Sequence, residues 1–369
     1  MIISVPIPPE EGIGTYVYNL SSELIKRGNS ISIITRGTDN NDCIINDNIT
    51  LYKRKFLPIY PLHVFYHSIH VKDLIKDIKD DIDIFHFHTP LPAYFKTNKP
   101  SVLTVHTPMK TDSRHAEKDL LGYLIRFQAP VSAFIEKKLI NYCSKITTVS
   151  ESVASELSEY GVPYNNVDVI NNAVNENIFI KKHSEPKRPY ILFVGRLAHR
   201  KGLYDLIKCF QIVAKANSSM YLYIVGKGPL ENNIKSYIQD LGLSNKVIFI
   251  GHIHRSNIDE LVEIYCQAKV FVQSSTYEGL PTVLLEAMSC GCPVVATNIS
   301  GNNEVVKSNY NGILVQPGNP SEMANAVITL IKNESLSSNL GVNARKTIES
   351  SYTWEKIAHN FYSLYKRLV

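Results

Sequence analysis

The chain has 369 residues, 44% of them hydrophobic and 20% charged, and a formal net charge of +5. That length suits about two domains at the usual 100–200 residues each, and the composition excludes a disordered or fibrous chain. No apolar run approaches the roughly 18 residues that span a bilayer, and no dense basic run of the nucleic-acid-binding kind is present. Up to residue 180 there are 18 Lys and Arg against 20 Asp and Glu, whereas the remainder carries 21 against 14. An excess of cations in the second half suits an anionic ligand there. The six cysteines lack metal-ligand spacing, and Cys290-Gly291-Cys292 is one residue short of a Cys-x-x-Cys pair. Reduced thiols, and a start that runs into an apolar strand without a basic leader, make a cytoplasmic protein the expectation.

Strand and helix signals alternate from end to end, which predicts an α/β chain with parallel sheets. In the first half the predicted strands are residues 2–7, 30–36, 82–88, 102–106, 146–149 and 167–170, with helices at 16–27 and 117–142. Residues 171–189, rich in Asn, Lys and Pro, read as a boundary. Strands follow at 190–194, 221–225, 247–250, 270–273, 293–296 and 313–315, and an amphipathic helix at 352–369 carries the only Trp, Trp354. The spacing predicts two doubly wound, Rossmann-like domains, 1–175 and 185–350, with 351–369 as a closing helix. In such sheets ligands bind beyond the carboxyl ends of the strands.

Those ends carry the motifs. Gly12-Ile13-Gly14 follows the first strand, but Val17 stands where a dinucleotide fingerprint needs its third Gly, so a nicotinamide enzyme is discounted. His106 ends the 102–106 strand, and His86 and His88 share one face of its neighbour without an evident third metal ligand. Gly195-Arg196-Leu197-Ala198-His199-Arg200-Lys201-Gly202 leaves a strand and opens a helix, placing a planar cation and a point charge where phosphate oxygens could be held. Gly226-Lys227-Gly228-Pro229-Leu230 and Gly251-His252-Ile253 end two further strands. Glu278-Gly279-Leu280-Pro281-Thr282-Val283-Leu284-Leu285-Glu286 sets two carboxylates around a helix start, with Pro281 expected at the first helical position. The amides of Gly279, Leu280 and Thr282 would point out of that terminus towards an anion. Glu286 lies five residues past Pro281, roughly 7.5 Å along the axis. A diphosphate with a sugar at each end fits this layout.

The run from Tyr277 to Gly301 resembles the donor-binding signature of retaining glycosyltransferases of family 4, which have the glycosyltransferase-B (GT-B) fold of two Rossmann-like domains facing across a cleft. The turn from Gly195 to Gly202 resembles the same family's phosphate-binding turn, about 80 residues earlier. The resemblance implies an amino-terminal acceptor-binding domain, a carboxy-terminal nucleotide-sugar domain and a last helix that crosses back to the first. It implies that Arg196 and Lys201 grip the diphosphate and that Gly12 and Gly14 bring backbone close to it. It places His106 and Glu278 on the transferred sugar, and Glu286 on the nucleotide ribose. Gly226, Gly228, Ile253 and the segment Gly279–Thr282 would complete the donor site, with Ser300-Gly301 lining the same pocket. Val169–Asn175 resembles the family's hinge, with Ala173 and Asn175 where Gly and Asp are usual.

The implied activity is retaining, metal-independent transfer of a hexose-type sugar from a nucleotide diphosphate to an acceptor hydroxyl, with no cofactor. A nucleotide-sugar 2-epimerase would need a cleft carboxylate as base, and none is assigned. A non-catalytic sugar-nucleotide-binding protein would not require the set Arg196, Lys201, Glu278 and Glu286. The acceptor is a glycan or a lipid-linked precursor. The residues Lys53, Arg54, Lys55, Phe56, Tyr60, Phe65 and Tyr66, with Lys110, Arg114 and Lys118, suggest peripheral contact with an anionic membrane surface.

Overall fold

The computed structural model describes residues 1–5, 12–59, 62–115, 120–181 and 186–369. Pro6 and Ile7 of the first expected strand, Tyr60, Lys118 and residues 182–185 lie outside the described residues. The chain divides into two compact units, Met1–Asn172 with Trp354–Val369, and Ala173–Thr353.

The first unit contains α1 (Gly12–Ile25), β1 (Ile31–Gly37), β2 (Asn41–Asn46), β3 (Ile49–Lys55), α2 (His63–Ile78), β4 (Phe85–His88), β5 (Ser101–Val105), α3 (Met109–Arg114), α4 (Leu120–Tyr142), β6 (Lys145–Thr148), α5 (Glu151–Glu156) and β7 (Val167–Val169). Its strands form two ladders, β1-β3-β2 and β4-β5-β6-β7, parallel except where β2 returns against β3. The expected first strand is present as a single bridging residue. Ile2 pairs in parallel with both Ile34 and Phe87, and its backbone exchanges hydrogen bonds with His86 O (2.8 Å) and His88 N (3.0 Å), which joins the two ladders. The hairpin β2–β3 was not among the expected elements. β2 is exposed along its whole length, so it has no alternation of apolar and polar residues to read.

The second unit contains β8 (Tyr190–Val194), α6 (Leu203–Ala216), β9 (Tyr221–Val225), α7 (Glu231–Asp240), β10 (Val247–Gly251), α8 (Ile258–Gln267), β11 (Val270–Gln273), α9 (Thr282–Ser289), β12 (Val294–Thr297), α10 (Asn302–Val305), β13 (Ile313–Val315), α11 (Pro320–Lys332) and α12 (Glu334–Ser351). The last helix, α13 (Trp354–Leu368), belongs to the first unit, where Trp354 meets Tyr16 of α1 edge to face at 5.1 Å. The six strands of the second unit are all parallel, in the order β10-β9-β8-β11-β12-β13. Every residue of β8, β11 and β12 is buried, because helices cover both faces, as a parallel sheet requires. Ile191, Phe193, Leu222, Ile224 and Val272 project to one core with Leu206, Phe210, Ile234 and Val327 of α6, α7 and α11. The chain winds outward from β8 in one direction to β10, then from β11 in the other to β13. The crevice where this order reverses lies beyond the carboxyl ends of β8 and β11.

One boundary departs from expectation. α9 begins at Thr282, and Pro281 is its N-cap residue with an extended ψ of 116°. The Pro281 carbonyl accepts from Leu284 N (3.2 Å) and Leu285 N (3.4 Å), so it starts the helical ladder from outside the helix.

Candidate active site

In the second unit, the turns after β8 and β11 meet at the reversal point. Glu278 is 5% exposed and is held by four side chains. Lys201 Nζ and Ser275 Oγ (2.6 Å) donate to its Oε1, as does Gln273 Nε2 (2.9 Å), while Arg200 reaches Oε2 at 3.3 Å. Burial pushes the Glu278 carboxyl up, but the Lys201 and Arg200 charges and the Lys201 and Ser275 hydrogen bonds together hold it below its ordinary value. Burial lowers the Lys201 ammonium, opposed by the same ion pair. Arg196, five residues earlier, is exposed and forms no ion pair among the described residues. The result is a buried carboxylate clamped by two cations, with a third cation open to solvent.

The backbone around this clamp is interlocked. A Cβ on Gly226 would sit 2.0 Å from Gly195 O, and one on Gly228 would sit 2.4 Å from Leu197 O. Leu197 N donates to Lys227 O at 2.9 Å, and Gly226 N to Gly251 O at 2.7 Å. These glycines let the turns after β8 and β9 stack on each other. Gly301 likewise lies against the 278–279 turn, where a Cβ would be 2.6 Å from Gly279 O. Ile253 is half-buried in the loop after β10.

Gly279, Leu280, Pro281 and Thr282 lead into α9, whose first amides have no intrahelical acceptor. Leu280 and Pro281 are buried, and Gly279 and Thr282 are half-buried. Glu286 projects from the second turn and accepts a hydrogen bond from Tyr265 of α8 at 2.8 Å. A loop carboxylate and a helix carboxylate are thus both fixed by neighbours before any ligand arrives.

The first unit presents a neutral cluster at its strand ends. His106 follows β5 and is 9% exposed; its Nε2 lies 3.3 Å from His88 Nδ1. His86 completes the group through Thr104 Oγ1 (2.6 Å) and Tyr365 of α13 (2.5 Å). Tyr16 of α1 stands edge-on to His106 at 4.7 Å. Burial alone pushes His106 down to about 3 and is the largest influence lowering His86 and His88, so all three imidazoles are neutral at ordinary pH. The Tyr16 hydroxyl and His88 Nε2 are buried without a hydrogen-bond partner. Gly12 opens α1 in the left-handed region (φ +47°), and Gly14 is buried within the first turn of that helix. Among the described residues no three His, Cys, Asp or Glu side chains come together as a metal site.

The family descriptions "Glycosyltransferase Family 4", over residues 11–177, and "Glycosyl transferases group 1", over 174–347, both match. Between them they span nearly the whole chain. The chain belongs to the group 1 glycosyltransferases.

Among its relatives is the N-acetyl-alpha-D-glucosaminyl L-malate synthase of Bacillus anthracis, 25% identical over 97% of this chain and 94% of that protein. Among solved structures, sucrose-phosphate synthase from Thermosynechococcus elongatus superposes with a TM-score of 0.80 at 22% identity, covering 97% of this chain and 94% of that one. HepE of Anabaena in complex with UDP-glucose gives 0.74 at 17% identity over 98% of each chain. These likenesses establish the GT-B fold. No helix among the described residues is long and apolar enough to cross a membrane.

Sequence reasoning named both ends of the Glu278–Lys201 pair but not the pair itself. It passed over Arg200, Gln273, Ser275 and Tyr265, which hold the two carboxylates. Arg200 sat inside the quoted turn, next to Lys201; Tyr265 carried no local signal. Several cations of the surface read as basic and aromatic have partners of their own. Arg54 is 8% exposed within β3 and paired with Asp42, while Lys110 and Arg114 are committed to Glu159.

Proposed function

We propose that the chain transfers a hexose-type sugar from a nucleotide diphosphate to an acceptor hydroxyl, with retention of configuration and without metal or other cofactor. The observation that carries this reading is the cluster of Arg196, Arg200 and Lys201 at the reversal point of an all-parallel sheet, next to the N-terminus of α9. A departing diphosphate gains negative charge as the sugar leaves, and donors already in place stabilise it without reorganising. Arg196 takes the diphosphate from solvent, and Lys201 bridges it to Glu278. Glu278, held ionised, accepts from hydroxyls of the transferred sugar, Glu286 from the ribose, and neutral His106 is assigned to the same sugar by the family resemblance.

In this reading the acceptor oxygen bonds to the anomeric carbon as the bond from that carbon to the phosphate oxygen breaks. The acceptor proton passes to the leaving phosphate oxygen on the same face. The acceptor is a glycan or a lipid-linked precursor at the cytoplasmic face of a membrane. The first unit is the acceptor domain and the second the donor domain. The relatives support a sugar-nucleotide donor.

The test is a thermal-shift series with UDP-, GDP- and ADP-sugars, since a ligand that binds the folded state raises its stability by mass action. The stabilising donor is then assayed with excess EDTA and with magnesium, and the product's anomeric configuration is read by NMR. Equal rates and a retained configuration are expected. Absence of any stabilising nucleotide sugar defeats the donor site, and activity restored only by magnesium defeats the metal-free part.

A further inference from the structure

Helix α4 turns aromatic rings outward while burying polar side chains beside Ala129, Ile135, Leu139 and Ile140. Tyr123, Phe127 and Phe134 are 62%, 65% and 53% exposed, while Gln128, Ser132 and Glu136 on the opposite side are 5%, 2% and 3% exposed. At 100° per residue, Tyr123, Phe127, Pro130 and Phe134 fall on one line, about 16 Å long at 1.5 Å per residue. Pro130 is exposed with them. A helix on the surface of a globular unit normally does the reverse. The inward polar groups have a cost: Gln128 Oε1, Ser132 Oγ and Glu136 Oε1 are buried without partners.

The outer face is also one-signed. Lys137 and Lys138 are exposed beside Phe134, and Lys138 Nζ lies 4.5 Å from the centre of that ring. Arg126 lies over Tyr123 at 4.9 Å. The helix's sole carboxylate, Glu136, is turned inward to Met109 N and the Tyr160 hydroxyl. Three aromatic rings of this exposure present on the order of a few hundred Å² of apolar surface, the size at which a patch marks an interaction site. Aromatic rings rimmed by cations suit the headgroup region of an anionic bilayer, where the rings enter the interface and the cations meet phosphate. Because the helix is not apolar enough to cross a membrane, it would lie flat.

We propose that the Tyr123–Phe127–Phe134 face of α4, with Arg126, Lys137 and Lys138, docks the protein on an anionic lipid surface. This moves the membrane contact away from the β3 region, whose Arg54 is buried and paired, and it stands independently of the transfer reaction.

The test is co-sedimentation with vesicles of mixed phosphatidylglycerol and phosphatidylcholine, and of phosphatidylcholine alone, at low and high salt. Wild type is expected to pellet with the anionic vesicles at low salt and to be released as salt screens the charges. Phe127→Ser/Phe134→Ser and Lys137→Glu/Lys138→Glu should each lower binding by about tenfold or more, whereas Lys53→Glu/Lys55→Glu should not. Phe127→Trp supplies a direct probe, because the native Trp354 is 5% exposed; its emission should shift to the blue on anionic vesicles. Donor thermal shifts recorded on the same samples separate failure of this face from failure of the donor site. Wild type left in the supernatant overturns the proposal, as does undiminished pelleting of the Phe127/Phe134 variant or loss of binding in the Lys53/Lys55 variant. So does a dimer that the aromatic variant dissociates without any vesicle binding, which would give the face to a second copy of the chain.

Discussion

Glu278 in the second unit and Glu136 in the first are both buried carboxylates, 5% and 3% exposed, yet their acidities are shifted in opposite directions. Lys201 and Arg200 face Glu278 and keep it ionised. Glu136 meets only a hydroxyl and an amide, and burial pushes it up to about 7. The imidazoles of His86, His88 and His106 follow Glu136: buried with no partner carboxylate, they lose their charge. Burial alone neutralises a group, and only counter-charges brought in by other segments reverse that. The second unit therefore carries fixed charge at its strand ends, and the first unit carries neutral hydrogen-bonding groups at its own.

Removing a counter-charge is the strongest way to break this contrast. Lys201→Met leaves Glu278 buried beside only the partly exposed Arg200, and loss of one partner of a buried pair costs about 3–5 kcal/mol. Denaturant unfolding should show that loss, with part of it recovered in Lys201→Met/Glu278→Gln. An unchanged midpoint would mean Glu278 does not depend on Lys201. In wild type, the Glu278 contribution is present above the unfolded carboxyl's value near 4.5 and lost as pH falls through its lower folded value.

Glu136 should behave in the opposite sense. Its folded value is raised, so its contribution is present below about 4.5, falls as pH rises towards about 7, and is level beyond. Glu136→Gln keeps an acceptor for Met109 N and removes that loss, a gain on the order of 3 kcal/mol at pH 8 relative to pH 4. Stability measured against pH in both proteins checks it; parallel curves would refute the neutral carboxyl.

Glu286→Gln and Glu278→Gln sharpen the comparison within the second unit. A charge-assisted hydrogen bond is worth about 1.5–3 kcal/mol, so roughly one to two orders of magnitude should be lost by each variant. Glu286→Gln should lose it in donor affinity, Glu278→Gln mainly in turnover, as read by calorimetry and steady-state kinetics. Wild-type affinity and rate in Glu286→Gln would remove it from the donor site. The smallest expected effect is in the first unit: His106 should show no protonation between pH 5 and 8, because its folded value lies near 3. Imidazole NMR shifts that titrate in that range would show a hidden counter-charge.

Much of the fold was legible because it is written locally. Apolar runs marked β8, β9, β11 and β13 at their observed bounds, and in β8 and β11, buried along their whole length, the signal is continuous. The first strand was harder. Its apolar residues are where expected, yet Ile2 contributes a single rung, a matter settled by the neighbours Ile34 and Phe87 rather than by its own run. The motif residues were found because Gly, Pro and charged residues at strand ends have few other uses.

By itself the sequence determined the parallel α/β architecture, the two halves and the positions of the phosphate and carboxylate motifs, because periodicity and turn chemistry depend on nearest neighbours. Only the tertiary structure decided which groups are charged. Lys201 and Glu278 are 77 residues apart and meet through the adjacency of β8 and β11. Which way α4 turns, with Gln128, Ser132 and Glu136 inward and Tyr123, Phe127 and Phe134 outward, could not be read from spacing either. Periodicity shows that a helix has two faces, and only packing says which one is turned in.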